Sequence, residues 1–165
     1  MTEKALVIID LQVGLETKTK KLFQLQQVLK KVNLRIKSYR ERDMPIIFIQ
    51  HEDEELLYGT DSWQLFPELE AKKEDYYVSK KHANSFFHTE LSKLLEGLSV
   101  DTLEICGAQT EFCVDTTIRF AHGLGYKIFM QKGTATTLDN DNWTAEEIIQ
   151  YHETIWNQRF LLFFD

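Results

Sequence analysis

The sequence predicts a three-layer α/β/α fold, a mainly parallel six-stranded sheet of order 3-2-1-4-5-6, in one domain spanning residues 1–165. Three observations carry this reading. Short apolar runs such as "ALVIID" and "IIFIQ" have the composition of strands buried on both faces. Longer stretches with three- and four-residue apolar spacing separate them, as amphipathic helices do. The two kinds of segment alternate along the chain, and alternating strands and helices pack as a parallel sheet covered on both sides.

The elements follow in order. Residues 5–10 form the first strand and end in an acid, Asp10. From about Lys20 to Glu41, apolar residues at Leu22, Leu25, Val28, Leu29, Val32, Ile36 and Tyr39 trace one helical face. Pro45 ends that segment, because it disfavours the helical region for Met44. "IIFIQ" (46–50) is the second strand, residues 51–75 read as loop with a short turn near "PELEA", and "DYYVSK" (75–80) is the third strand. "HTELSKLLEGL" (88–98) is helical with Thr89 as its cap, and "DTLEICG" (101–107) is the fourth strand. A helix from Thr110 to about Gly123 follows, then "YKIFMQ" (126–131) as the fifth strand. The last helix opens on Thr144 and Glu147, spaced as a capping box, and "RFLLFFD" (159–165) is the closing strand.

Composition narrows the function. With 19 basic and 26 acidic residues the net charge is −7, and no dense basic block exceeds "KTKK". Nucleic-acid and anionic-membrane partners are therefore not expected. Apolar runs fall well short of the roughly 18 residues that span a bilayer. The opening "MTEKALVIID" lacks the layout of a secretory leader. Two cysteines seven residues apart, Cys106 and Cys113, lie on successive elements of opposed direction, a poor geometry for a bridge. The expected location is a reducing cytoplasm.

In a sheet of this order the chain reverses between strands 1 and 4, and ligands bind in the crevice at their carboxyl ends. That topology brings Asp10 and Cys113 to one crevice. With Thr110 as helix cap, Cys113 falls in the first turn, where free N–H groups and the macrodipole favour an anion. A thiolate is expected there below the usual thiol pKa. Asp10, beside a thiol, can take its proton and later pass it to a leaving amine. Lys80 and Lys81 follow the third strand, and either can reach the crevice; the residues alone do not choose between them.

Together these segments resemble the signature of the isochorismatase-like cysteine hydrolases. "GAQTEFCVDTTIRFA" resembles the nucleophile motif, "ALVIIDLQ" the first-strand motif with Asp10 and Gln12, and "KHANSFF" the lysine motif, whose spacing to Ser85 selects Lys81. The loop "QHEDEELLYGTDSWQLFPEL" is similar to that of a metal-free branch. The resemblance runs from about Ala5 to Phe160. It implies an isochorismatase-like hydrolase domain with an Asp10–Lys81–Cys113 triad that cleaves a C–N bond of a small amide-type molecule through a thioester. It also implies a non-proline cis peptide at Ala108–Gln109, an oxyanion hole from the N–H groups of Gln109 and Cys113, and a homodimer or homotetramer. Substrate contacts are expected from Gln12, His51, Trp63, Phe86 and Phe112. The rival readings are a catalytically silent small-molecule or partner-binding protein on the same fold, and nicotinamidase-like or isochorismatase-like activity.

Some positions depart from the family pattern. His51 stands without the acidic ligand and further histidines of metal-dependent nicotinamidases, so no metal and no cofactor are expected. Phe86 replaces a small residue and is expected to narrow the pocket or pack behind it. Lys132 stands where an acid is common, and a changed local charge network is expected around it.

Overall fold

The structure, a computed structural model, describes residues 3–165. Seven strands and four helices follow in the order β1 (Glu3–Ile9), α1 (Leu25–Arg40), β2 (Ile46–His51), β3 (Tyr76–Lys80), α2 (Leu91–Gly97), β4 (Val100–Ala108), α3 (Asp115–Gly123), β5 (Lys127–Gln131), β6 (Ala135–Thr136), α4 (Ala145–Trp156) and β7 (Leu162–Phe164). A wide π-type turn, Thr110–Val114, joins β4 to α3.

All pairings between these strands are parallel, in the order β3-β2-β1-β4-β5-β7. This is the order expected from the sequence, with β7 as the closing strand. The seventh strand is the two-residue β6, which pairs with Gly107 and Ala108 at the end of β4. Ala135–Thr136 is too short a run to read as a strand from periodicity.

Alternation along β1 explains the layers. Ala5, Val7 and Ile9 enter one core with Leu91 and Leu95 of α2, Ile118 and Ala121 of α3, and Trp156 at the end of α4. Leu6 and Ile8 enter the other core, with Val28, Leu29, Val32, Ile36 and Tyr39 of α1. Each fully buried Val, Leu or Ile among these contributes roughly 1.5–3 kcal/mol. These two cores fix the strand ends against which the crevice is built.

Three boundaries differ from expectation. Helix α1 starts at Leu25, not near Lys20, because Gln24 adopts a left-handed conformation (φ 49°). The preceding Phe23 spends its backbone on tertiary bonds, donating to the Thr137 carbonyl (2.9 Å) and accepting from Thr136 Oγ1 (2.6 Å). At α2 the cap position is Glu90, although Thr89 Oγ1 still accepts from the Leu91 N–H at 3.3 Å. At α4 the capping box of Thr144 and Glu147 is present in full.

Candidate active site

The crevice lies at the carboxyl ends of β1, β2, β3 and β4. Asp10 directly follows β1 and takes a left-handed φ of 49°, a conformation that aspartate tolerates better than most residues and that concentrates at functional sites. Its N–H remains tied to the Ile49 carbonyl at 3.0 Å, so the turn is anchored to β2. Gly107 brings β4 close on the other side. Its φ is 127°, and a Cβ there would lie 2.1 Å from the Ile9 carbonyl oxygen, so only glycine allows this approach.

A buried ammonium organises the centre. Lys80 Nζ donates to Asp10 Oδ2 at 2.7 Å and to Cys113 Sγ at 3.1 Å, and it stands 3.0 Å from His51 Nδ1. The lysine that contacts Asp10 and Cys113 is therefore Lys80, not Lys81 as expected. Strand alternation is the reason: Val78 and Lys80 share the inward face of β3, while Lys81 lies past its end. The Lys81 side chain is 72% exposed and pairs with Glu52 at 3.6 Å.

Burial and charge set the protonation states. Removal from water raises Asp10 above the ordinary carboxylate range, opposed by the positive charge of Lys80. The Cys113 thiol is pushed up to about 12, first by burial and then by the nearby Asp10 carboxylate, with Lys80 opposing. Burial and the carboxylate thus favour the protonated sulfur, opposite to the thiolate expected from the position at a helix start. Asp10 Oδ1 is buried and has no hydrogen-bond partner, while Oδ2 is held by Lys80. One ligand atom each of Asp10, His51 and Cys113 lies within 4.8 Å of the others, so the acid, the imidazole and the sulfur share one small volume.

The segment carrying Cys113 also differs from expectation. The residue before the turn is Gln109, not Thr110, and no side chain caps it. Thr110 is fully buried and its hydroxyl has no partner. Cys113 is the fourth residue of the π turn, and the Gln109 carbonyl accepts from both the Phe112 and Val114 N–H groups (3.1 and 3.2 Å). The Ala108–Gln109 peptide is cis.

Of the five residues expected to contact substrate, two have other duties. Gln12 is fully buried and clamps backbone: Nε2 donates to the His51 and Trp63 carbonyls (both 2.9 Å), and Oε1 accepts from the His51 N–H (2.8 Å). Both its amide hydrogens are thus spent on backbone carbonyls. Phe86 is buried against the rings of Phe120 and Tyr126, with centroids at 5.6 and 5.9 Å. It packs behind the loop on α3 and does not narrow a pocket. Trp63 rests on Tyr58 (4.6 Å between centroids) and lines a cleft with Gln50 of β2 and with Tyr77 and Ser79, which alternate with the inward face of β3. Phe112, next to Cys113 in the chain, is 55% exposed and remains available to a ligand. His51 is in the cluster itself, contacting Lys80 through Nδ1 and Asp53 Oδ2 through Nε2 at 3.1 Å.

Asp10, His51 and Cys113 are donors of types that bind metals, but the Lys80 ammonium stands 2.7–3.1 Å from an atom of each. In this structure the three donor atoms are engaged by the Lys80 ammonium. Sequence reasoning missed two supporting contacts. Thr117, one turn after Cys113, bonds Ser85 through its hydroxyl (2.9 Å to Oγ, 3.1 Å from the N–H), docking the loop after β3 onto α3. Asp53 was the other, and a polar residue two positions after His51 was its only signal.

The isochorismatase domain model matches residues 4–149. The chain belongs to the isochorismatase family. Among relatives, the isochorismatase family protein YwoC of Bacillus subtilis is 31% identical, over 84% of this chain and 80% of its own. A crystal structure of an isochorismatase family protein superposes with a TM-score of 0.97 at 54% identity, covering 98% of both chains. Nicotinamidase 3 of Arabidopsis thaliana is 23% identical, over 83% of this chain and 75% of its own. The parallel sheet and its strand order are those of the isochorismatase α/β fold.

Proposed function

We propose that this isochorismatase family member is a cysteine hydrolase that cleaves an amide-type C–N bond of a small molecule through a thioester on Cys113. The observation that supports this most is the contact of one buried ammonium, Lys80 Nζ, with both Asp10 Oδ2 and Cys113 Sγ. Similarity to a nicotinamidase, whose substrate is an amide, supports the bond type.

The chemistry follows from the protonation states. Because the thiol is held protonated, attack and deprotonation occur together: the Cys113 S–C bond forms at the carbonyl carbon as the S–H proton passes to Asp10, whose Oδ1 is unengaged. The carbonyl electron pair moves onto oxygen, where the N–H groups of Gln109 and Cys113 are the donors assigned to it. On collapse the C–N bond breaks, and Asp10 returns the proton to the departing amine. Water then attacks the thioester carbonyl, again giving its proton to Asp10. Collapse of this second intermediate expels the sulfur, which recovers that proton as the acid leaves. The raised pKa of Asp10 suits both directions of transfer. Lys80 binds Asp10 and the sulfur throughout, and it stabilises the negative charge as it moves between them. Cys106 and Cys113 are both free thiols, in keeping with a reducing cytoplasmic setting.

The test is turnover of a panel of small primary amides by wild-type protein and the Cys113→Ala variant. Turnover is expected to vanish in the variant, with an acyl adduct on Cys113 seen by mass spectrometry of the wild type during catalysis. Full activity in Cys113→Ala would refute the reading, and binding of amides without turnover by the wild type would favour a silent binder.

A further inference from the structure

The triad leaves one part of the cluster unexplained. His51 has no role in the proton transfers, yet several contacts converge on it. Gln12 holds its backbone on both sides, accepting from its N–H and donating to its carbonyl (2.8 and 2.9 Å). Its ring joins Lys80 Nζ on one side (3.0 Å) and Asp53 Oδ2 on the other (3.1 Å). Asp53 is fixed in turn, its Oδ1 accepting from the Glu55 and Leu56 N–H groups, both at 2.8 Å.

Donor and acceptor capacities decide the tautomer. An ammonium has three N–H donors and no acceptor. Those of Lys80 meet Asp10 Oδ2, Cys113 Sγ and His51 Nδ1. His51 Nδ1 must then accept, so the ring proton sits on Nε2 and points to Asp53. The carboxylate fixes the tautomer, and the tautomer fixes the ammonium.

Resting on the triad reading above, we infer that His51 is a positioning residue. As the neutral Nε2–H tautomer set by Asp53, it supplies the third acceptor that aims Lys80 at Asp10 and Cys113. Its backbone partner Gln12 belongs to the same device. A protonated ring would turn a second N–H donor onto the ammonium and break this arrangement. The groups facing the ring are Lys80, Asp53, Asp10 and Cys113; the adjacent Glu52 pairs with Lys81.

Two measurements test this. Ring ¹⁵N NMR of the wild-type protein at pH 7.5 is expected to show His51 neutral, protonated on Nε2, with Nδ1 carrying the signature of a hydrogen-bonded acceptor. An Nδ1–H tautomer or a charged ring overturns the inference. The second is positional rescue, read as the iodoacetamide alkylation rate of Cys113 by peptide mapping, with thermal melts to verify folding. His51→Leu removes the acceptor and is expected to change that rate at least about tenfold. His51→Asn returns an acceptor near the Nδ1 position and is expected to recover most of the change. His51→Gln, with its acceptor near the Nε2 position, is expected to behave like Leu. Equal rates in the Asn, Gln and Leu variants overturn the inference even where the triad reading stands. Equal labelling of Cys106 and Cys113 in the wild type would instead count against the triad itself.

Discussion

Two buried charged networks lie on this sheet, and they differ in what they leave unsatisfied. Midway along β4, Glu104 receives Arg35 through both oxygens (Nε 2.6 Å, Nη2 3.0 Å) and the Tyr39 hydroxyl (2.9 Å), with Lys4 at 3.7 Å. The cations are themselves covered: Lys4 lies 4.8 Å from the Phe129 ring centroid and Arg35 lies 5.0 Å from that of Phe164. At the carboxyl ends, Asp10 has one oxygen engaged by Lys80 and the other free. Each network has a cysteine beside it. Both thiols are raised by burial, Cys106 next to Glu104 and Cys113 next to Asp10. Cys106 is sealed in the core, whereas Cys113 is partly exposed. A saturated carboxylate holds the fold. A carboxylate with an open oxygen beside a reachable thiol can accept its proton.

The sharpest way to break this comparison is to exchange the roles of adjacent lysines. Lys80→Met is expected to lower amide turnover by roughly 10²-fold or more, since it removes the charge that holds both Asp10 and the sulfur. Lys81→Met is expected to stay within about twofold of wild type, because an exposed ion pair is worth little. Comparable losses in the two would contradict the assignment.

At the other network the expected effect is on stability. Glu104→Ala leaves Arg35 without its partner and is expected to cost about 3 kcal/mol in denaturant unfolding, as broken buried pairs do. Turnover per folded molecule is expected to remain. If stability is unchanged, the saturated network is not structural.

The smallest effect separates the thiols by pH. Cys113 has a folded pKa of about 12, above its ordinary value of 9, so the folded state keeps its proton after the unfolded chain has lost it. Its contribution is fully present below pH 9 and is lost as pH rises toward 12. Cys106 behaves in the same direction. Unfolding free energy is expected to decline above pH 9, by up to about 1.4 kcal/mol per pH unit for each thiol. Cys106→Ala and Cys113→Ala should each flatten that slope. An unchanged slope in both variants would show that burial does not hold these protons.

These contrasts also show what the sequence could reveal. Asp10 and Cys113 were legible because each ends or follows a strongly apolar strand, and the topology of such a sheet brings those ends together. Lys80 was only half legible: the residues left Lys80 and Lys81 both open, and motif spacing counted from Ser85 pointed one residue too far, whereas in the structure Val78 and Lys80 alternate inward. Ser85 keeps its own duty, bonding Thr117, and the loop between it and β3 absorbs the difference. The roles of Gln12 and His51 were hidden because their partners lie 39 or 51 residues away for Gln12 and 29 for His51. No local pattern encodes such contacts. The thiol's protonation was misjudged for a related reason. A helix start favours a thiolate in isolation, but here burial and a carboxylate outweigh it.

The most direct measurement is the competition between the two thiols for iodoacetamide, made in the wild type and in Asp10→Asn. The account predicts that Cys113 reacts at least about tenfold faster than Cys106, and that Asp10→Asn changes the rate at Cys113 while leaving Cys106 as it was. Equal reactivity of the two sulfurs, or a Cys113 rate indifferent to the loss of the carboxylate, would contradict it.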